Sequence, residues 1–410
     1  MSKADRFDPH GRSRSPEKLR PRRAPRFRGT RHVPRWGRGS ARPIASRVPT
    51  TPPHRFPIIA GPTAGGKSAL GVAVALELER RGLPRGEVVS ADAFQVYRGL
   101  DIASAKPTEA ERRGVRHHLI DAVEPTEAFA LADWLRLAEG AIAEIRARGV
   151  TPIVVGGTHL YVKSLLDGFM GGPGADEAIR DELRAMDPAL RRAELERVDP
   201  AAAARIHPND ERRTVRALEV YRLTGQPITA QQGQWDAEAT RPRDRFLVGL
   251  EWGVEAINRR INARVRAMVE GGLVDETRRL LERDALGPQA RQALGTKQLL
   301  PVLEGLDPGQ PPSPARLEDA IERIKIETRR FAKSQRTWLR RLRQTPGAVW
   351  IQAEIGDAEQ WAQHVVNTCF KPIDKPASAG VPAHGDGAKP GASVEGNTGD
   401  EDQPGGSGSA

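Results

Sequence analysis

Apolar positions between residues 54 and 345 follow two rhythms. Four short runs are nearly unbroken: Phe56-Pro57-Ile58-Ile59-Ala60, Glu87-Val88-Val89-Ser90-Ala91, Pro152-Ile153-Val154-Val155-Gly156 and Phe246-Leu247-Val248-Gly249-Leu250. Runs of this length, bounded by turn residues, predict strands buried on both faces. Helical stretches lie between them: Ser68 to Arg81, rich in Ala, Leu and Glu and stopped by Gly82, and residues 130–148, amphipathic and ended by Gly149. Strands alternating with helices predict an α/β fold, a parallel sheet covered by helices on both faces. From Gly174 to Arg241 the strand pattern stops and charge-rich helical stretches such as Ile179-Arg180-Asp181-Glu182-Leu183-Arg184 replace it. The division this predicts is a core of residues 54–173 and 242–345 interrupted by a helical insertion at 174–241. Further helices are predicted over 254–283 and 314–343, and residues 346–370 close the ordered region.

Both ends read differently. Residues 1–53 are rich in Arg, Pro and Ser, as in Arg20-Pro21-Arg22-Arg23-Ala24-Pro25-Arg26, and residues 371–410 are dominated by Gly, Ala, Pro and acids. Neither can build a core, so both are expected to be disordered. The arm is either a tether for phosphates or an unselected extension; its Asp5, Asp8 and Glu17 argue against a mitochondrial transit peptide. Charge follows the same division. Of the net +11, an excess of 12 sits in residues 1–50, so the remainder is close to neutral and any nucleic-acid contact must rest on local clusters. Cys369 is the only cysteine, which excludes an intrachain disulfide and a cysteine-ligated zinc site. No apolar run approaches the roughly 20 residues needed to span a bilayer, and the charged N-terminus lacks the apolar segment of a secretory signal. A cytoplasmic monomer that keeps off the membrane is expected.

The first strand runs straight into Gly61-Pro62-Thr63-Ala64-Gly65-Gly66-Lys67-Ser68, which matches G-x-x-x-x-G-K-[ST] in full and opens a helix. Strand, loop and helix in this order predict a P-loop NTPase-like fold. Backbone N–H groups converge on phosphate oxygens, Lys67 adds a mobile cation, and the Ser68 hydroxyl can hold Mg²⁺. Such a loop recognises phosphate, not what the phosphate is attached to.

The second strand ends in Ser90-Ala91-Asp92-Ala93-Phe94-Gln95-Val96-Tyr97, followed by Gly99-Leu100-Asp101-Ile102-Ala103-Ser104-Ala105-Lys106-Pro107. This segment resembles the tRNA dimethylallyltransferases (isopentenyltransferases), whose stretch is D-S-x-x-x-Y-x-G-x-D-I-G-T-A-K-P. The resemblance continues, in the family's order, through His117-His118-Leu119-Ile120-Asp121, Gly156-Gly157-Thr158-His159-Leu160-Tyr161, Arg205-Ile206-His207-Pro208-Asn209-Asp210, Arg216-Ala217-Leu218-Glu219-Val220 and Thr337-Trp338-Leu339-Arg340, covering roughly Phe56 to Arg343. It implies transfer of a dimethylallyl group from dimethylallyl diphosphate to an adenine beside the tRNA anticodon. It also implies that Asp92 takes the proton of the attacking amine; the alternative is a Mg²⁺ ligand without a base role. Thr158 is implied to contact substrate near the adenine, with helix N-capping as the alternative. Arg264, four residues after Arg260 on one helix face, is implied to reach the diphosphate; a solvated basic face is the alternative.

RNA contact is implied for Ala93, Phe94, Gln95, Arg180, Arg212, Arg213, Thr214, Val215 and Arg216, and for Gln292, Ala293, Leu294, Gly295, Thr296 and Lys297. Salt bridging with Asp210, Glu211 and Glu219 is the alternative for Arg212, Arg213 and Arg216. The segment Glu322 to Arg343 carries nine Lys/Arg against two acids, with Ile324, Phe331, Trp338 and Leu342 available for packing, a basic stripe suited to phosphates. The sequence departs from the family at Thr296, where G-Y-[KR] usually places an aromatic. If that aromatic stacks on a base, Thr296 forgoes about 1–3 kcal/mol. Ser104 and Ala103 replace a Thr and a Gly. Other readings remain at this stage: an adenylate prenyltransferase acting on free AMP or ATP, a small-molecule P-loop kinase, and an RNA-binding NTPase switch.

Overall fold

The computed structural model describes residues 55–168, 172–230, 244–307 and 309–370. The arm at 1–53, the tail at 371–410 and residues 231–241 of the predicted insertion lie outside them. Among the described residues, the strands β1 (Phe56–Ala60), β2 (Gly86–Ala91), β3 (His117–His118), β4 (Thr151–Gly156), β5 (Arg245–Glu251) and β6 (Val349–Gln352) form one sheet in the order β3-β2-β4-β1-β5-β6, with every pairing parallel.

Alternation along the strands builds two cores. Ile58, Val89, Val154 and Leu247 face one side, where α3 (Leu131–Ala147) and α4 (His159–Asp167) cover them with Trp134, Ile142, Ile145, Tyr161 and Leu165. Trp134 and Tyr161 stack with ring centroids 4.3 Å apart. Ile59, Val88, Val155 and Val248 face the other side, against Leu70, Val74 and Leu78 of α1 (Lys67–Arg80) and Trp361 and Val365 of a C-terminal helix, Ala358–Cys369. Close approach requires glycine here. A Cβ on Gly71 of α1 would lie 2.6 Å from Val155, and one on Gly156 would lie 2.1 Å from the Ala91 carbonyl oxygen. Gly156→Ala is therefore expected to cost about 3 kcal/mol, the upper part of the overpacking range, because strand backbone must move. Thermal unfolding of the purified variant checks this, and an unchanged midpoint contradicts it.

The four sequence-predicted strands and the helices after them are all present. Strands β3 and β6 and the Ala358 helix are additions. Glu87 ties β3 into place. It is buried, paired in two places with Arg148 at 2.7 Å and bonded to His118 Nε2 at 2.7 Å. The Arg148 bonds, with His118 helping, hold its carboxyl down at about 2 against an ordinary 4.5. A depressed carboxyl stabilises fully above its unfolded value and loses that contribution as pH falls toward its folded one. Glu87→Gln should thus lose about 3 kcal/mol at neutral pH, with the gap to wild type closing between about pH 4.5 and pH 2 in urea unfolding.

Helices α5 (Glu177–Ala185), α6 (Pro188–Val198), α7 (Pro200–Arg205) and α8 (Glu211–Thr224) fill the predicted insertion and share an apolar cluster of their own, around Leu183, Leu195, Val215 and Leu218. After β5 come α9 (Val254–Glu270) and α10 (Leu273–Glu282), separated at Gly271-Gly272, where Gly272 takes φ +97°. Then follow α11 (Thr296–Leu303) and the long α12 (Pro314–Arg341). No helix among the described residues is long and apolar enough to cross a membrane.

Candidate active site

The loop after β1 is shaped by local backbone. Gly66 and Ala64 take φ +86° and +59°, and Gly65 N–H closes a turn onto the Pro62 carbonyl at 3.1 Å. Its outward carbonyls are tied down from behind: Arg260 Nε donates to Ala64 O at 2.8 Å and Trp252 Nε1 to Gly65 O at 3.1 Å, with Arg260 stacked 4.8 Å over the Trp252 ring. The first-turn N–H groups of α1, which have no helical partners, remain for an anion. Lys67 Nζ donates to Pro62 O at 2.8 Å, and Ser68 is exposed beside it. Burial, then the charge of Arg264, lower the Lys67 ammonium to about 8, while Asp92 acts in the opposite direction. Burial also lowers Arg264, again opposed by Asp92. Lys67, Arg264 and Asp92 therefore sit within one another's fields.

Asp92 follows β2. Its Oδ1 accepts from Phe94 N–H at 2.9 Å and Gln95 N–H at 3.3 Å, while Oδ2 has no hydrogen-bond partner among the described residues. Thr158 follows β4 and occupies the N-cap position of α4, yet its side chain caps nothing there; Oγ1 accepts from Ala93 N–H at 3.1 Å. That bond ties the Thr158 loop to the Asp92 loop and leaves the hydroxyl proton free. Gln95 is engaged within the protein: Oε1 accepts from Ser90 Oγ at 2.8 Å and Nε2 donates to Ala105 O at 3.3 Å.

These loops line one cavity of about 590 Å³. It brings Lys67, Ser68, Asp92, Thr158 and Arg264 together with an apolar set: Ile261, Val265 and Met268 from the same face of α9 as Arg264, Leu294, and Ile324 and Phe331 of α12. A basic phosphate cradle beside an apolar wall and a half-free carboxylate can bind a diphosphate ester of a hydrocarbon and deprotonate a nucleophile next to it.

Comparison with known proteins agrees with this. A family model described as IPP transferase matches residues 95–342, and one described as isopentenyl transferase matches residues 54–128. A tRNA dimethylallyltransferase of Anaeromyxobacter dehalogenans is 45% identical over 317 residues, covering 76% of this chain and 99% of that protein. One of Pelotomaculum thermopropionicum is 41% identical over 315 residues, covering 75% and 94%. This chain belongs to the tRNA dimethylallyltransferase family. Among solved structures, the full-length tRNA isopentenylpyrophosphate transferase of Bacillus halodurans matches with a TM-score of 0.54 at 36% identity, over 77% of this chain and 97% of that one. A eukaryotic dimethylallyltransferase acting on tRNA matches with a TM-score of 0.64 at 30% identity, over 76% and 78%.

The residues implied to meet RNA fall into three groups. Arg180 and Arg216 both pair with the fully buried Glu219, at 2.9 and 2.6 Å, and Arg216 also donates to Pro173 O at 2.8 Å. The salt bridge weighed for Arg216 is present, and Arg180 is paired in the same way. The side chains of Thr214, Val215, Ala293 and Thr296 are buried, so any contact with RNA at these positions falls to the backbone. Thr296 is 0% exposed and its Oγ1 lacks a hydrogen-bond partner among the described residues. Gly295 takes φ +99° and packs on Leu273. The third group remains accessible: Arg212, Arg213, Gln292 and Lys297 are exposed, Phe94 half-buried, and Phe94, Gln292 and Leu294 line the cavity. Arg213 pairs with Asp210 at 2.9 Å yet stays largely exposed. Burial, then the Arg213 charge, lower the imidazole of His159, which lies at the cavity wall with its ring 5.5 Å from Trp338.

The α12 stripe is partly self-paired, through Lys325–Glu322, Arg329–Glu322 and Arg330–Glu327, while Lys333, Arg340 and Arg341 are exposed. Phe331, expected to pack, is 40% exposed in the cavity instead. Four contributors were not foreseen: Trp252, Met268, Gln335 and Glu276. The buried Glu276 accepts from the N–H groups of Asp101, Ile102 and Ala103 at 2.7–2.9 Å, which holds the cavity-lining 103–105 segment. A lone acid on a helix carries no sequence signal for such a role.

Proposed function

We propose that the protein transfers a dimethylallyl group from dimethylallyl diphosphate to the exocyclic amine of an adenine next to the anticodon of a tRNA. The carrying observation is that one cavity joins Lys67, Ser68 and Arg264 to Asp92 and to an apolar wall. In the step, the amine nitrogen bonds to the first prenyl carbon as its C–O bond to the diphosphate breaks; the bonding pair leaves with pyrophosphate and the amine proton passes to Asp92. Lys67 and Arg264 stabilise the charge that builds on the leaving group. The target adenine, unstacked from the anticodon loop, enters beside Thr158 and Phe94. Exposed cations of α12, with Arg212 and Arg213, hold the RNA backbone. A tRNA substrate fits a cytoplasmic site of action.

Mg²⁺ fits as a companion of the diphosphate. Among the described residues no group of three His, Cys, Asp or Glu side chains could hold a metal ion, so the exposed Ser68 hydroxyl would supply one oxygen, and substrate phosphate oxygens and water the others. When bound it would neutralise part of the diphosphate charge.

Incubating the purified protein with dimethylallyl diphosphate and unmodified tRNA should give prenylated adenosine by nucleoside mass spectrometry. AMP in excess should not compete; prenylated AMP in place of modified tRNA would favour the free-nucleotide reading, and ATP-dependent phosphate transfer the kinase reading.

A further inference from the structure

We propose that Gln335 is a positioning residue that sets the spacing between the loop holding the prenyl donor and the loop receiving the adenine. This rests on the transferase reading above. Gln335 lies on α12, 3% exposed, and both ends of its amide are used. Oε1 accepts from Thr63 N–H at 2.8 Å, and Nε2 donates to Gly157 O at 2.9 Å. Thr63 belongs to the loop that carries Lys67. Gly157 directly precedes Thr158. The ladder between β1 and β4 ends at the pair Ala60 and Gly156, so beyond it this one side chain bridges the two functional loops.

The fit is tight. A Cβ on Gly157 would lie 2.5 Å from Gln335 Nε2 and 3.4 Å from Lys67 Nζ, so amide, glycine and ammonium are packed neighbours. Because Thr63 N–H is committed to Gln335 and Gly65 N–H to Pro62 O, the grip on diphosphate falls to the remaining N–H groups of the loop and of the first turn of α1, and Gln335 fixes where they stand relative to Thr158. Displacing one reacting partner by about 1 Å costs on the order of a hundredfold in rate.

The test uses the full chain with tRNA and dimethylallyl diphosphate, assayed well below the unfolding midpoint of each variant. Gln335→Met keeps the volume and removes both bonds; its kcat should fall about 10- to 100-fold with KM for tRNA within about threefold. Gln335→Glu keeps an acceptor for Thr63 but has no N–H for Gly157, and it should likewise lose kcat at nearly unchanged KM for tRNA. A role in folding alone would lower the unfolding midpoint and leave kcat at the assay temperature unchanged, so the split between kcat and KM separates the two. Wild-type kcat in either variant overturns the proposal. Absence of prenyl transfer by the wild-type protein would instead sink the transferase reading itself.

Discussion

Asp92→Asn is expected to slow prenyl transfer by about 10²- to 10⁴-fold, the range for removal of a general base, with donor and tRNA affinities little changed. The substitution is chosen for its geometry. The asparagine carbonyl can still accept from Phe94 and Gln95, as Asp92 Oδ1 does, so the turn after β2 survives and only the oxygen without a partner loses its basicity. Single-turnover rates at saturating tRNA and donor give the value. If Asp92 served only as a ligand to the metal, the same variant would recover most of its rate at high Mg²⁺. Wild-type turnover would remove Asp92 from the chemistry altogether.

Lys67→Met should weaken binding of the diphosphate and lower kcat together, by about 10²- to 10³-fold in the rate, since the ammonium meets a leaving group whose charge grows in the transition state. The same residue sets a pH dependence. With its free-enzyme value lowered to about 8 by burial and Arg264, Lys67 is an ammonium below that pH and a neutral amine above it. Donor affinity should therefore be full at neutral pH and decline as pH rises through about 8. Bound diphosphate favours the charged form, so binding near that pH takes up a proton. Calorimetry in buffers of different ionisation enthalpy measures both effects. Arginine stays charged throughout this range, so the limb reports Lys67 and should vanish in Lys67→Met. A limb that persists in that variant would point to another group.

What could be read from the chain was what depends on neighbours in sequence. The phosphate loop is contiguous, and its glycines, lysine and serine do their work through backbone angles and one helix end, so eight consecutive residues suffice. Asp92 and Thr158, singled out through the family resemblance, stand where a parallel sheet presents its site, within two residues of the end of a run that reads as a strand. Arg264 was likewise named through the resemblance, and helical spacing then places Ile261, Val265 and Met268 on its face.

Tertiary structure decided the rest, because each remaining assignment turns on a partner far away in sequence. Gln335 bonds to Thr63 and Gly157 across 272 and 178 residues. Arg180 and Arg216 carry no sign in the sequence that both pair with Glu219, which is buried between them, and a buried carboxylate needs its cations more than a solvated one does. Thr296 sits in a segment that appears open to RNA, yet packing takes its side chain wholly inside, while Phe331, apolar and on a helix, is turned into the cavity instead of the core. A sequence states which side chains exist; which of them meet is settled only by the packing of α9 and α12 against the loops of the sheet.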